Sequence, residues 1–248
     1  MALSTSQESL NPNQSLKYVD IITVIFVLVL VLSNIASSAK IIDWGISLFG
    51  LPLAFDAGTL LFPISYIFGD ILTEVYGFKR ARRIIWIGFL CLAFSALIFW
   101  LVRIMPGETS WQMDVGQAAY NKVLGGMSSG GIVLASILGY LTGSFSNAIV
   151  MALMKVFTQS RYLWMRTIGS TLVGEFVDTA IFILIASLTQ VFPWALFWTL
   201  TITNYIFKVG IEVFMTPFTY KIVNSLKKAE AIDIFDDQKD LNPFDFKG

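Results

Sequence analysis

Ionisable side chains stand inside stretches of this sequence that are otherwise apolar. On the membrane-insertion scale, such a residue costs about 2.5–3.5 kcal/mol at a helix centre, whereas Leu or Phe returns only about 0.3–0.6 kcal/mol. Side chains this costly face a bundle interior or a wet cavity, where they mark a functional site. The candidate substrate-binding residues are six charged positions and one amide: Asp70, Glu74, Asn147, Glu175, Asp178, Lys208 and Glu212.

These candidates contain more carboxylates than cations, since five acids face one lysine. Glu175 and Asp178 could meet Lys208 across the bundle. Lys208 could also pair with Glu212, one turn later on its own helix. The carboxylates left over must hold a proton, a cation or a donor-rich ligand. The surplus therefore favours a ligand site over a purely structural set of salt bridges.

Helix geometry arranges the candidates by depth. At 1.5 Å per residue, the layer roughly 10–15 Å from the basic loops contains Asp70, Glu175, Glu212 and Asn147, and a deeper layer contains Asp178 and Lys208. Asp70 and Glu74 are four residues apart and could act as a proton relay. The favoured alternative is that Glu74 pairs with the basic cluster at 79–83.

Composition excludes several kinds of chemistry. The chain has no histidine and a single cysteine, Cys91, which excludes Ser-His-Asp catalysis, histidine zinc sites and intrachain disulfides. Residues 126–130 spell a nucleophile elbow, but no predicted strand precedes them. No phosphate-binding loop occurs, so an ATP-driven process would need a partner protein. An intramembrane aspartyl protease that uses Asp70 and Asp178 has no other supporting feature. We expect no enzyme activity, cofactor, metal or nucleic-acid partner.

Membrane helices must position these residues. Of the 248 residues, 56% are hydrophobic and 14% charged, against about 25% charged in a typical soluble domain. A spanning helix needs about 20 mostly apolar residues. The sequence predicts an all-α integral membrane protein, with one six-helix transporter domain over 19–223. The spans are predicted at 19–39, 56–77, 84–105, 130–157, 167–190 and 194–220.

The basic loops predict the orientation of the chain. Lys and Arg concentrate at 79–83 and 155–166, whereas the intervening loops contain few. The positive-inside rule places the two basic loops, and both termini with them, on the cytoplasmic side of the membrane. 

The remaining segments are predicted from composition and length. Residues 41–55 form an outer hairpin or interfacial segment, and the outer loop at 106–129 is partly ordered at best. The polar tail at 1–18 and the acidic tail at 224–248 are predicted to be disordered.

Two sequence patterns concern helix packing. Gly139, Gly143 and Asn147 recur every four residues on one helix face, which predicts close helix packing or a homodimer. The segments 69–74 and 174–178 share a glycine followed by acids, each in the second helix of a three-helix half. This echo suggests two inverted halves with a site at their interface, an arrangement known in transporters.

Three stretches resemble the bacterial queuosine precursor transporters of the vitamin uptake transporter group. They read FPISYIFGDILTEVYGFKRARRIIW (62–86), RTIGSTLVGEFVDTAIF (166–182) and NYIFKVGIEVFMTPFTYKIV (204–223). The resemblance implies inner-membrane uptake of 7-cyano- and 7-aminomethyl-7-deazaguanine, the precursors used in tRNA modification. It falls on Asp70, Glu74, Arg82, Glu175, Asp178, Lys208 and Glu212.

The chemistry of such a base suits these residues. A guanine-like edge offers N1–H and a 2-amino group to one carboxylate, and a Lys or Asn can donate to O6. Candidate aromatic walls are Tyr66, Trp86, Phe176, Tyr205 and Phe207. Two alternatives stay open, namely a substrate-binding subunit of an ATP-driven vitamin uptake complex and a structural membrane protein.

Overall fold

The computed structural model of the chain describes residues 16–48, 51–128, 130–190, 193–236 and 241–245. Within these ranges the protein is nearly all helical, with one antiparallel hairpin between β1 (Ile41–Leu48) and β2 (Leu51–Asp56). The helices are α1 (Val19–Ala39), α2 (Phe62–Tyr76), α3 (Phe78–Ile104), α4 (Thr109–Asp114), α5 (Gly116–Leu124), α6 (Gly130–Phe157), α7 (Leu163–Leu188) and α8 (Phe197–Glu230).

Each predicted span contains one helix of at least 15 residues, and α1 and α6 have the predicted bounds. The helix α2 is shorter than its predicted span, because residues 57–60 form a 3-10 turn instead. The helix α3 begins at Phe78 rather than at residue 84, so the basic cluster lies on its first turns. The helix α8 continues from the predicted end at residue 220 to Glu230.

Four helical segments of the described chain are long and apolar enough to cross a membrane: α1, α3, α7 and the segment 116–157, which contains α6. The 15 residues of α2 span about 22 Å, less than the roughly 30 Å of a hydrocarbon core. Side chains such as Val24, Leu90, Phe94 and Phe214 are all more than 40% exposed, which is expected of a lipid-facing surface. The chain is therefore a multi-pass helical membrane protein.

The short helix α2 lies at the centre of the bundle. Eleven of its 15 residues are buried, and it packs against α1, α3, α6 and α8. It ends at Gly77, whose φ of +81° lies in the left-handed region that glycine adopts without strain. The chain turns there directly into α3. Buried on all sides, α2 carries Asp70 and Glu74 into the protein interior rather than into lipid.

The predicted small-residue face of α6 packs against α7 of the same chain. A Cβ atom at Gly143 would lie 2.5 Å from Asp178 Cβ, and a Cβ atom at Gly174 would lie 2.7 Å from Asn147 Cβ. Glycine at these positions lets the two backbones approach closely. This confirms the close packing, and it assigns the face to a contact within the chain rather than to a dimer.

The structure confirms the predicted hairpin and gives the outer loop and the C-terminal tail more order than the sequence predicted. The outer loop carries the helices α4 and α5, and the hairpin at 41–55 forms as β1 and β2. In the C-terminal tail, α8 continues to Glu230, and Ile232 and Ile234 then pack against the apolar core. The expectation of a disordered tail from residue 224 does not hold for the described residues up to 236, because these isoleucines anchor the acidic segment. Of the tail predicted at 1–18, residues 1–15 lie outside the described residues, whereas Leu16 packs against the apolar core and the backbone N–H groups of Lys17 and Tyr18 donate to Glu230.

Candidate functional site

A small cavity of about 60 Å³ lies between α1, α2, α6, α7 and α8. Its walls combine aromatic rings with polar groups, which suits a planar polar ligand. The residues that line it include Phe62, Tyr66, Asp178, Phe182, Asn204 and Lys208. This volume is below the roughly 300–1,000 Å³ of small-molecule sites, so binding a base requires the lining side chains to move apart.

A larger recess of about 930 Å³ adjoins this cavity. The two spaces share Ser37, Ser136, Phe182 and Asn204 as lining residues. The recess reaches the ends of α1 and α3 and the outer loop, on the side opposite the basic cluster of α3. A ligand can therefore reach the cavity from that side in this conformation.

A buried ion pair forms one wall of the cavity. Lys208 Nζ lies 2.5 Å from Asp178 Oδ2 and 3.1 Å from Glu175 Oε2. The ammonium also lies 5.2 Å from the centroid of the Phe62 ring. The predicted meeting of Glu175 and Asp178 with Lys208 across the bundle is present. The pair between Lys208 and Glu212 along α8 is not among the ion pairs of the described residues.

Asp70, Asn147 and Glu212 form a second polar layer, between the cavity and the end of the bundle that carries the basic residues. None of the three lines the cavity. Asn147 Nδ2 donates to Asp70 Oδ1 at 2.7 Å, and Thr171 Oγ1 donates to Glu212 Oε1 at 2.6 Å. The remaining oxygens, Asp70 Oδ2, Glu212 Oε2 and Asn147 Oδ1, have no hydrogen-bond partner among the described residues. The layer is thus fully buried but only half satisfied.

Glu74 belongs to a different group, an ion network at the opposite end of the bundle. Arg166 donates to both of its oxygens, at 3.1 and 2.8 Å, and Lys227 Nζ lies 2.6 Å from Oε1. Lys155 Nζ lies 3.8 Å from the same oxygen. The prediction that Glu74 pairs with the cluster at 79–83 is therefore wrong about the partners, which come from α6, α7 and α8.

The C-terminal segment completes this ion network. Asp233 lies 2.7 Å from Lys155 Nζ and 2.8 Å from Lys227 Nζ. Partial burial opposes ionisation of Asp233, but hydrogen bonds and charges from the two lysines outweigh it and hold its pKa below the ordinary value. Nearby, Asp236 accepts from Phe78 N at 2.8 Å and so caps the start of α3. The network seals the end of the bundle that carries the basic residues.

Sequence reasoning missed these three cations because it counted Lys155 and Arg166 with a basic loop and Lys227 with the C-terminal tail. Lys155 and Arg166 are each 1% exposed and Lys227 is only 19% exposed in its side chain. Their positions at the ends of predicted spans were the available signal, since long basic side chains can reach into a bundle from there.

Comparison with known proteins identifies the family. The sequence model of the family described as "Putative vitamin uptake transporter" matches residues 56–222. The chain belongs to this family. Among curated relatives, it is 27% identical over 71% of its length to the "Probable queuosine precursor transporter" of Bacillus subtilis (strain 168), of which the match covers 73%. It is also 27% identical over 79% of its length to the "Queuosine precursor transporter" of Escherichia coli (strain K12), of which 85% is covered.

A third relative, the "Probable queuosine precursor transporter" of Haemophilus influenzae, is 25% identical over 67% of each chain. No solved structure matches the chain. The chain is a member of a transporter family and not an enzyme. The family match contains all seven candidate residues, and it ends before the segment that completes the Glu74 network.

Within this family member, the aromatic residues divide between the cavity and other roles. Tyr66 lines the cavity, and its hydroxyl has no hydrogen-bond partner among the described residues. Trp86 instead donates to the Pro243 carbonyl at 3.0 Å. Phe176 is 53% exposed and packs edge-to-face on Tyr205. Of the five predicted wall residues, Tyr66 therefore lines the cavity.

Besides Tyr66 and Tyr140, Phe62 and Phe182 supply rings to the cavity, and sequence analysis missed both of these phenylalanines. Each stands four residues from a predicted site residue, Tyr66 and Asp178 respectively, and so shares its helix face. That spacing was the signal that could have found them.

Proposed function

We propose that this protein imports queuosine precursors, the 7-cyano- and 7-aminomethyl-7-deazaguanine bases, across the bacterial inner membrane. The observation that supports this most directly is the cavity, in which acid, amide and ammonium groups face aromatic rings. The names of the relatives supply the substrate class. A substrate-binding subunit of an ATP-driven complex is not favoured, because the relatives are themselves named as transporters.

The base would lie between the rings of Phe62 and Phe182. The carboxylate of Asp178 would accept from N1–H and the 2-amino group, as a bidentate acceptor does. Asn204 would donate to O6. Lys208 would then be held by Glu175 alone, so binding exchanges one ion-pair contact for the ligand. The aminomethyl precursor is cationic and would also be attracted by the second carboxylate of this wall, Glu175.

The test is uptake of a labelled base by purified protein in liposomes without ATP. Asp178→Asn removes the carboxylate and leaves Lys208 paired with Glu175, so the fold persists. Losing a charge-assisted hydrogen bond of about 1.5–3 kcal/mol should lower uptake about tenfold to a hundredfold. Asp114→Asn changes an exposed aspartate of α4 in the same way and should leave uptake unaltered. Wild-type rates in Asp178→Asn would refute the site, and no uptake by the wild type would refute the function.

We also propose that the domain at 19–223 is a six-span bundle of two inverted halves, with both termini in the cytoplasm. Both helices of the sequence echo, α2 and α7, pack against α8, and this supports a site at the interface of the two halves. A reporter fused at the turn between α2 and α3 should be cytoplasmic, and a periplasmic reporter would overturn the orientation. A homodimer stays a prediction, which the mass of the detergent-purified protein by light scattering would check.

A further inference from the structure

A second candidate site is the polar layer of Asp70, Asn147 and Glu212, which does not line the cavity. Asp70 on α2 and Glu212 on α8 are held by adjacent residues of α7. Ser170 Oγ lies 3.4 Å from Asp70 Oδ1, and Thr171 Oγ1 donates to Glu212 Oε1 at 2.6 Å. The two carboxylates therefore lie at a similar depth, against the same turn of α7.

Asp70 and Asn147 form an incomplete acid–amide pair. Asn147 Nδ2 donates to Asp70 Oδ1, while Asp70 Oδ2 and Asn147 Oδ1 both lack partners among the described residues. These residues are 0% and 2% exposed, so bulk water does not satisfy them. A proton on Asp70 Oδ2 would turn an unpartnered acceptor into a donor, and Asn147 Oδ1 is the acceptor that it needs. One proton thus satisfies two buried atoms.

The charges on the surrounding helices do not neutralise this layer. Lys208 on α8 is engaged by Asp178 and Glu175 of α7. The other titratable and charged groups around the layer are Tyr66 and Glu74 on α2, Lys155 on α6, Arg166 on α7 and Lys227 on α8. All three of those cations bind Glu74. Within the described residues, no cation lies within ion-pairing distance of Asp70 or Glu212.

A proton fits this layer better than a metal ion does. A metal ion needs several oxygen ligands at once. In the described part of the chain, no group of three or more His, Cys, Asp and Glu side chains is arranged to hold one. A proton needs one carboxylate oxygen and one acceptor, and the layer offers two such carboxylates.

We propose that Asp70 and Glu212 form a proton-binding site, with Asn147 as its hydrogen-bond acceptor, that couples base uptake to the pH gradient. This proposal rests on the proposed transport of a base. The site lies between the cavity, which is open on one side, and the Glu74 network, which seals the other. A proton that enters with the base from the cavity is released when the sealed end opens.

The first test is an infrared measurement that needs no substrate. The purified protein near neutral pH should show the C=O stretching band of a protonated, buried carboxylic acid. Asp70→Asn and Glu212→Gln should each reduce that band, whereas Glu108→Gln, at an exposed glutamate of the outer loop, should leave it unchanged. Absence of the band in the wild type, or an unchanged band in both variants, would overturn the proposal and leave the transport function standing.

The second test measures coupling in liposomes. If one proton accompanies each neutral 7-cyano base, an alkaline interior should drive about tenfold accumulation per pH unit. In Asp70→Asn or Glu212→Gln, accumulation should fall to the external concentration while exchange of labelled for unlabelled base persists. Accumulation that follows a sodium gradient instead, or that survives in both variants, would refute proton coupling. Absence of exchange in the wild type would refute the transport function itself, independently of the infrared result.

Discussion

Replacing Glu74 by glutamine should destabilise the protein strongly, although the side chain keeps its shape. In the wild type, Glu74 and Asp233 face three cations, Lys155, Arg166 and Lys227. Glu74→Gln leaves those three cations with one carboxylate. Lys155 and Arg166 are each 1% exposed, so water cannot take over the role of the lost charge.

The size of the effect follows from the burial of these partners. Removing one member of a buried ion pair costs about 3–5 kcal/mol, because it leaves an uncompensated buried charge. For a chain of this length, each kcal/mol shifts the melting temperature by roughly 2–4 °C on the scale of soluble domains. The expected loss is therefore on the order of 10 °C.

The assay heats the detergent-solubilised protein and measures the fraction that remains monodisperse. Glu108→Gln is the matched control at an exposed position, and its shift should be small. A cycle with Arg166→Gln separates the pair from the rest of the network. Because Arg166 has lost its main partner in Glu74→Gln, the second substitution should cost much less there than in the wild type. A Glu74→Gln shift no larger than that of the control, or additive effects in the cycle, would refute this account.

Two further predictions concern the tail and the helix pairing. Because the pKa of Asp233 is lowered, its contribution to stability is complete above the unfolded-state pKa of about 4 and is lost as the pH falls further. The thermal stability of Asp233→Asn should thus lie below that of the wild type near neutral pH and converge with it in acid; a constant difference down to about pH 2 would contradict this reasoning. Gly143→Val should separate α6 from α7 and abolish both folded yield and uptake, since even a Cβ atom would lie 2.5 Å from Asp178 Cβ. Gly210→Ala, where a Cβ atom meets nothing within 4 Å, should be tolerated, and equal yields of the two variants would show that the close approach is unimportant.

Much of the architecture could be predicted because local sequence determines it. Apolar runs of sufficient length predicted the long helices α1, α3, α6, α7 and α8 and the shorter α2, and the bounds of α1 and α6 were correct. The errors fell at helix ends, where local signals are weak. The basic cluster at 79–83 was read as a loop, although Gly77 allows α3 to begin immediately after α2. The folded tail was missed because Ile232, Ile234 and Phe235 are only a few apolar residues within an acidic segment.

The sequence by itself determined that this is a membrane protein and identified its buried acids as candidate site residues, because both conclusions follow from the cost of placing charge in lipid. Only the tertiary structure decided which acids are neutralised. Glu74 and Asp178 looked alike as carboxylates in apolar helices, yet one binds Arg166 at the sealed end and the other binds Lys208 beside the cavity. Helical periodicity specifies the face on which a side chain lies but not the helix that packs against that face. The packing of α6, α7 and α8 decides which side chains reach the acids of α2. The charge partners depend on this packing, and so does the division into ion network, cavity and proposed proton site.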